Sequence, residues 1–414
     1  MTKKVLMVAY HYPPVRGSSG LQRTLKFSQY LRENGWEPII LTAHPRAYPQ
    51  VGEDQLGEIP EEIIVKRAFA LDTAKHLGVG GRYPGLLATP DRWVTWWMGA
   101  VPVGLNLIRR LKPQVIWSTY PIATAHLIGR TLHNMSGLPW VADFRDSMVD
   151  DDYPPDPKMR KVYSRIERRT VTTANKVVFT TPSVTRMYAE RYQDLPESRW
   201  TFIRNGYDEE NFRSVEGGST VERRVPGAPI KLVHSGLLYP SERDPRPFFA
   251  AISELKKQGL VSASSLNIIL RASGNEDTYI KMINDSGIGD IISLEPAIDY
   301  SDALKEMLGA DGLLVFQAAN CNHLIPAKVY EYLRAKRPIL ALTDRHGDTA
   351  QLLQECGVDT IAQLDSMEDI RTKLADFLDR IRKREGLKIL DSQVSKYSRR
   401  SQAKELAKIF DSFS

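Results

Sequence analysis

Short apolar runs rich in β-branched residues alternate with amphipathic segments along almost the whole sequence. Several of these runs are apolar throughout, which is typical of parallel strands buried on both faces. The segments between them have apolar residues at helical spacing. This alternation predicts βαβ units and an α/β fold of doubly wound parallel sheets. In the first half, the predicted strands cover residues 5–9, 39–42, 63–66, 115–118, 140–143, 176–180 and 200–203.

The pattern stops once and then restarts. Residues 214–229 contain a Gly-Gly pair and a Pro-Gly-Ala-Pro stretch without apolar periodicity, which indicates a linker. We therefore predict one Rossmann-like domain at 1–213 and a second at 230–395, followed by a helical segment at 396–414. Ligands of such sheets bind at the carboxyl ends of the strands, so the expected site lies in a cleft between the halves. Predicted strands of the second half are 231–235, 266–270, 291–294, 312–316, 338–342 and 359–361.

Composition excludes several classes of protein. The 414 residues carry a net charge of +6, from 56 Lys and Arg against 50 Asp and Glu, which is too mild to indicate nucleic acid binding. Cys321 and Cys356 are the two cysteines, too few for a disulfide framework or a four-ligand zinc site. No stretch reaches the ~20 apolar residues of a membrane span, and the run at 5–9 is too short for a secretory signal. We therefore expect a cytoplasmic protein, at most peripheral to a membrane.

The most specific motif is a proline-initiated helix at residues 326–333. Pro326 and Ala327 mark its start, where free backbone N–H groups and the helix dipole suit a diphosphate. Lys328 adds a positive charge, and Glu331 offers a carboxylate to two vicinal ribose hydroxyls. On spacing alone, a structural helix with a solvated lysine is an equal alternative.

Two loops of the second half have residues suited to a nucleotide. Gly236 follows a predicted strand, and without a Cβ it lets a ligand approach the backbone. Arg243 has a fork of donors matched to phosphate, although a surface pair with a neighbouring carboxylate is the more common arrangement. A further strand-to-turn loop, expected to border the nucleotide base, contains Ser273 and Gly274.

Two candidate loops lie in the first half. Tyr12 and a loop of small residues follow the first strand and lead into a helix, an arrangement that can form an anion nest. The loop lacks the G-x-G-x-x-G pattern, which disfavours a nicotinamide cofactor. Asp143, Arg145 and Asp146 end the strand at 140–143, where charged residues are placed for function, although a structural Arg–Asp pair is an equal alternative. The small residues are Gly17, Ser18, Ser19 and Gly20.

Aromatic and histidine positions carry weaker signals. Three tryptophans near arginines indicate a core stripe, with contact to an anionic membrane surface or a lipid-linked acceptor as the alternative; they are Trp93, Trp96 and Trp97. Isolated histidines indicate structural roles, and these are His11, His234 and His323.

Taken in order, and with the segment at 204–208, these motifs resemble glycosyltransferase family 4 over nearly the whole chain. The resemblance implies the GT-B fold, in which two Rossmann-like domains face a cleft and the helix at 396–414 returns to the N-terminal domain. It also implies transfer of a sugar from a nucleotide diphosphate donor, with retention of anomeric configuration and without a metal or other cofactor.

The resemblance also implies roles for individual residues. Arg243 and Lys328 hold the donor diphosphate and, with Asp146 on the acceptor side, form the catalytic set. Glu331 binds the ribose hydroxyls. The other implied donor-binding residues are Gly17, Ser18, Ser19, Gly236, Ser273, Gly274, His323, Pro326 and Ala327. The acceptor-side residues are Tyr12, Asp143 and Arg145.

Two positions depart from the family pattern. His323 stands where the family often has the first of two glutamates, which affects the contact with the donor sugar hydroxyls. The usual Gly-Arg-Leu reads Gly236-Leu237-Leu238, and Arg243 takes the place of a family lysine with a one-residue offset.

The leading hypothesis is a retaining, metal-independent glycosyltransferase. Its partners are a UDP- or GDP-sugar donor and a glycan, glycolipid or small-molecule acceptor. The alternatives are a non-catalytic nucleotide-sugar-binding protein and a nucleotide-sugar epimerase of GT-B architecture.

Overall fold

The computed structural model describes residues 3–16, 20–53, 55–78, 80, 83, 85–151, 153–218, 227–385 and 389–413. The chain forms two compact units. One contains the residues up to Asn205 together with those from Arg399 onward, and the other is Gly206–Ser398.

The first unit is built on a seven-stranded parallel sheet. Its strands are β1 (Lys3–Val8), β2 (Trp36–Ala43), β3 (Ile64–Ala68), β4 (Val115–Thr119), β5 (Trp140–Asp143), β6 (Lys176–Phe179) and β7 (Trp200–Phe202), in the order β3-β2-β1-β4-β5-β6-β7. The helices around it are α1 (Gly20–Tyr30), α2 (Thr73–His76), α3 (Thr95–Leu111), α4 (Ala123–Ser136), α5 (Pro157–Thr173) and α6 (Pro182–Arg191).

The centre of this sheet is buried on both faces. Val5 pairs with Pro38 on β2 and with Val115 on β4, and the four residues from Val5 to Val8 have no exposed surface. A strand in this position needs apolar side chains on both faces, which explains its unbroken apolar sequence.

The second unit repeats the arrangement with six parallel strands. They are β8 (Ile230–Ser235), β9 (Leu266–Arg271), β10 (Ile292–Glu295), β11 (Gly312–Phe316), β12 (Ile339–Leu342) and β13 (Ile361–Ala362), in the order β10-β9-β8-β11-β12-β13. Its helices are α7 (Glu209–Gly218), α8 (Arg246–Lys257), α9 (Glu276–Asp285), α10 (Tyr300–Gly309), α11 (Lys328–Ala335), α12 (Asp348–Glu355), α13 (Met367–Lys383) and α14 (Asp391–Val394). The predicted α/β class with doubly wound parallel sheets is confirmed.

The last helix, α15 (Arg399–Asp411), packs on the first unit. Phe410 is fully buried and its ring lies 5.2 Å from that of Trp36. Asp411 accepts hydrogen bonds from Lys3 at 2.7 Å and from the Trp36 indole at 3.1 Å. The end of the chain therefore completes the core around β1 and β2.

The units meet in sequence at residues 205 and 206, rather than at the linker predicted for 214–229. Helix α7 occupies the first part of that segment, and residues 219–226 lie outside the described ranges. Arg334 on α11 pairs with Glu209 at 2.7 Å and with Glu216 at 3.0 Å, which attaches α7 to the second unit. In the described part of the chain, no helix combines the length and the apolar character that crossing a bilayer requires.

Candidate functional site

The carboxyl ends of β8 and β11 lie side by side at the centre of the second sheet. The order of the strands reverses between these two, which makes this edge the switch point where ligands bind in doubly wound folds. Gly236 follows β8, and the segment after β11 leads into α11. Two segments that are far apart in the sequence therefore converge on one edge.

Gly236 is a glycine for two physical reasons. Its φ is +115°, a conformation that residues with a side chain rarely adopt. A Cβ at this position would also lie 2.9 Å from the Lys328 Nζ. The ammonium group of Lys328 thus lies directly against bare backbone.

Lys328 contacts His234 on the opposite side. Its Nζ lies 3.4 Å from the His234 Nε2, while the Nδ1 of the same ring lies 2.9 Å from the Leu314 carbonyl oxygen. A carbonyl can only accept, so Nδ1 carries the ring proton and Nε2 accepts from the lysine. Burial, followed by the charge of Lys328, holds the pKa of His234 well below its usual value, against the opposing effect of backbone hydrogen bonds to Leu314 and Gly236. The ring is therefore neutral.

The protonation state of Lys328 depends on opposing electrostatic effects. Burial and the nearby Arg243 lower its pKa to about 7, against the opposing effect of Glu331. Because a bound anion would favour the charged form, this ammonium group is suited to a ligand with negative charge.

The start of α11 supplies backbone donors to the same place. The backbone hydrogen bonds at this end of the helix begin with Val329. Its N–H donates to the Pro326 carbonyl at 3.0 Å, and the N–H of Tyr330 donates to the Ala327 carbonyl at 3.2 Å. The N–H groups of Ala327 and Lys328 precede this ladder and are the ones that an anion at a helix start can use. Ser235, next to Gly236, donates its N–H to the Tyr332 hydroxyl at 3.0 Å, which fixes α11 to the end of β8.

Arg243 also belongs to this edge. Its Nη1 donates to the Leu237 carbonyl at 2.8 Å and its guanidinium lies 5.3 Å from the centre of the Tyr239 ring. The neighbouring Asp244 pairs with Arg246 at 2.5 Å, so it is not the partner of Arg243. The charge of Arg243 reaches Lys328, whose pKa it lowers.

The remaining predicted donor residues lie in the same unit. Glu331 accepts a hydrogen bond from the Tyr300 hydroxyl at 2.7 Å. Ser273 is 1% exposed, and its hydroxyl has no hydrogen-bond partner among the described residues. Gly274 has a φ of +63°, and a Cβ there would meet the Leu237 side chain at 2.9 Å. His323 lies partly buried in the turn before α11. Their roles toward a donor stay predictions.

The first unit places two predicted acceptor-side residues in its core instead. Asp143 is fully buried; Arg23 on α1 binds its two oxygens at 2.8 and 3.0 Å, and Thr119 donates to it at 2.9 Å. Tyr12 is also fully buried, with its hydroxyl 3.1 Å from that of Ser28. Both side chains are enclosed within this unit, and their acceptor-side roles stay predictions. The structure does contain an Arg–Asp pair of the kind given as the alternative, with Arg23 rather than Arg145 as its arginine.

Arg145 occupies a different position from its neighbours. It has a φ of +53°, and its guanidinium lies so close to Gly20 at the start of α1 that a Cβ on Gly20 would collide with it. Burial and the charge of Arg145 lower the pKa of His11 to about 3, so this histidine is neutral. Asp146 is exposed at the same edge. The predicted residues Gly17, Ser18 and Ser19 lie outside the described residues.

The three tryptophans around α3 differ in exposure. Trp96 is fully buried, Trp93 is partly buried, and Trp97 is exposed beside Met98. Peripheral contact with an anionic membrane surface stays a prediction. Among the described residues, no group of three His, Cys, Asp or Glu side chains is arranged to hold a metal ion.

Sequence reasoning missed His234 and Tyr332 as members of the site. Both lie beside residues that the motifs did identify, and His234 shares the face of its strand with Gly236, two residues on. That alternation is the signal that could have found His234. The hydroxyl contact of Tyr332 depends on the packing of α11 against β8 and has no signature in the sequence.

Comparison with known proteins identifies a related domain and similar folds. Residues 20–206 match the model of the glycosyl transferase 4-like domain. No curated protein matches the sequence significantly. The fold is similar to that of a glycosyltransferase from Rickettsia africae ESF-5, with a TM-score of 0.65 and 13% identity over 100% of this chain and 98% of the other.

Two further solved structures have the same fold. Anabaena HepE in complex with UDP and glucose has a TM-score of 0.58 and 11% identity, covering 100% of this chain and 97% of the other. A putative UDP-N-acetylglucosamine 2-epimerase from Listeria monocytogenes has a TM-score of 0.59 and 12% identity, covering 100% and 96%.

These findings define the fold of the protein. The chain has the GT-B fold, as its motifs predicted. The match of residues 20–206 to the glycosyl transferase 4-like domain agrees with the resemblance to glycosyltransferase family 4.

Proposed function

We propose that the protein transfers a sugar from a UDP- or GDP-linked donor to a glycan, glycolipid or small-molecule acceptor. The proposed reaction retains the anomeric configuration and needs neither a metal ion nor another cofactor. The observation that carries the proposal is the meeting of Lys328, Gly236 and the start of α11 at the switch point of the second sheet. An ammonium group, bare backbone and helix N–H groups together suit a pyrophosphate.

The chemistry proposed for this site is electrostatic. As the bond between the sugar and the diphosphate breaks, negative charge grows on the leaving oxygen. Lys328, Arg243 and the first N–H groups of α11 would stabilise that charge at fixed positions, as a metal ion does in other transferases. A phosphate oxygen of the donor would take the proton of the acceptor hydroxyl, so the reaction would need no protein nucleophile.

One observation supports a uridine nucleotide as the first donor to test. The Anabaena protein of the same fold holds UDP and glucose in its structure.

The test compares Lys328→Ala with Lys305→Ala, an exposed lysine of α10 in the same unit. Release of UDP or GDP is followed with a panel of donors and acceptors, and folding is checked by circular dichroism. Loss of one preorganised group at a developing charge lowers turnover by about 100-fold or more, so Lys328→Ala should lose transfer while Lys305→Ala keeps it. Equal turnover in the two variants would contradict the assignment of this site.

The products of the same assay separate the two alternatives. The similarity to a putative epimerase is the reason to look for an epimerised donor, which a transferase would not form. A non-catalytic binder would bind UDP or GDP in calorimetry yet consume no donor with any acceptor. Nucleoside diphosphate released only in the presence of an acceptor excludes both.

A further inference from the structure

A histidine and a lysine form a partly enclosed pair at the carboxyl edge of the second sheet. The Nε2 of His234 faces the Lys328 Nζ at 3.4 Å, and its Nδ1 is held by the Leu314 carbonyl at 2.9 Å. His234 is fully buried, and the Phe316 ring packs edge-on against it with centroids 5.0 Å apart. The orientation of the imidazole is therefore set by the sheet itself and not by a ligand.

The position of Lys328 is limited from two sides. On one side, His234 accepts a hydrogen bond from the Lys328 Nζ. On the other side lies Gly236, where a Cβ would come within 2.9 Å of the same Nζ. An ammonium group has three donors. Among the residues that the structure describes, His234 is the hydrogen-bond partner of this group, so two donors remain for oxygens of a ligand.

We propose that His234 is a positioning residue for the donor: its neutral Nε2 accepts a hydrogen bond from Lys328, holds the ammonium group against Gly236 and maintains its positive charge before a diphosphate binds. This inference rests on the proposed function, since it concerns the same pocket. His234 itself does not contact the donor in this scheme.

The electrostatic surroundings make such an acceptor necessary. Arg243, from the loop after β8, opposes a second positive charge nearby, and burial opposes it further. On α11, Glu331 favours the charge, but Tyr300 already takes one of its oxygens. Among the described residues nearby, the Tyr332 hydroxyl accepts a hydrogen bond from the Ser235 N–H, and Glu306 of α10 pairs with Arg271 at 2.7 Å. His234 is thus the neutral acceptor that the ammonium group contacts directly.

Two substitutions of His234 distinguish its hydrogen bond to Leu314 from its hydrogen bond to Lys328. In His234→Asn the side-chain amide can still donate to the Leu314 carbonyl from the place of Nδ1, but nothing reaches the place of Nε2. In His234→Gln the longer side chain can put its carbonyl oxygen near the place of Nε2 and so keep an acceptor for Lys328. A merely structural histidine would tolerate Asn at least as well as Gln.

The first measurement is the protonation of Lys328 in the ligand-free protein. The rate of its acetylation by acetic anhydride is followed against pH by peptide mass spectrometry, with the exposed Lys305 as internal reference. In the wild type, Lys328 should titrate near neutral pH. In His234→Asn it should titrate about 1 pH unit lower, because one charge-assisted hydrogen bond to the ammonium group is lost. His234→Gln should titrate as the wild type does.

The second measurement is the affinity for UDP and for GDP, by calorimetry at pH 6 and pH 8. A diphosphate binds the protonated lysine, so affinity falls as the pH rises through the pKa of the free protein. A shift of one unit makes His234→Asn weaker than the wild type by about tenfold at pH 8 and only about twofold at pH 6.

Three results would overturn the inference: a wild-type Lys328 that titrates like Lys305, an unchanged Lys328 titration in His234→Asn, or a His234→Gln variant that behaves like His234→Asn. The first needs no variant and holds even if a substituted protein fails to fold. If the titration of Lys328 shifts as expected but neither UDP nor GDP binds the wild type, the pair stands and the proposed function fails.

Discussion

The contact between Gly236 and Lys328 shows which part of a site a sequence reveals. Each residue has a local signature, because Gly236 ends a buried strand and Lys328 follows a helix-starting proline. Their contact joins residues far apart in the chain, and so does the bond from Lys328 to His234, 94 positions away. The position of His234 two residues before Gly236 is the available signal, but an isolated histidine was interpreted as structural, so its role was not predicted.

Replacing Gly236 with alanine tests the need for bare backbone. The positive φ costs about 1–3 kcal/mol in unfolding free energy for a residue with a side chain, and the new Cβ displaces the Lys328 ammonium group. We therefore expect Gly236→Ala to lose most donor affinity, measured by calorimetry with UDP and GDP, as well as stability.

The matched control is Gly259→Ala. Gly259 also has a positive φ, +72°, but nothing lies within 4 Å of its Cβ position. This variant should lose stability and keep its affinity for the nucleotide. Equal affinities in the two variants would mean that Lys328 does not depend on the space at Gly236.

Among the helices and strands, the elements predicted most accurately from the sequence are the fully buried strands. Strands with unbroken apolar sequences, such as β1 and β4, were predicted to within a residue or two, because their pattern reflects burial directly. Helix α7 was partly mistaken for a linker, since its last two residues are glycines and its attachment depends on the distant Arg334. The pairing of Asp143 with Arg23 was not predicted, because the position of Arg23 across the sheet edge is not visible in the sequence.

The Arg23–Asp143 pair should be a major source of stability for the first unit. Both side chains are almost completely buried, so Asp143→Asn would leave an uncompensated guanidinium and lower the free energy of unfolding by about 3–5 kcal/mol. The exposed pair of Arg32 and Glu62 provides the control, where Glu62→Gln should cost less than about 1 kcal/mol. Similar losses for the two variants in urea unfolding would show that the buried pair is dispensable.

For the molecule as a whole, the two sheets follow the same strand order, yet the chain does not divide into two continuous halves. The final helix returns to the first unit, where Ala403, Leu406 and Phe410 join the core around β1. The apolar spacing of residues 402–413 predicted a helix, but its destination came from the family resemblance, because spacing does not identify the surface that a helix covers.

The return of α15 gives a prediction that spectroscopy can localise. The seven tryptophans of the chain all lie between positions 36 and 200, so tryptophan fluorescence monitors the first unit alone. Phe410→Ala removes the ring that packs on Trp36 and should lower the unfolding free energy measured by this fluorescence by about 3–5 kcal/mol. Lys404→Ala, at an exposed position of the same helix, should change it by less than about 0.5 kcal/mol. If both variants unfold at the urea concentration of the wild type, α15 does not stabilise the first unit, and its packing there is incidental to the fold.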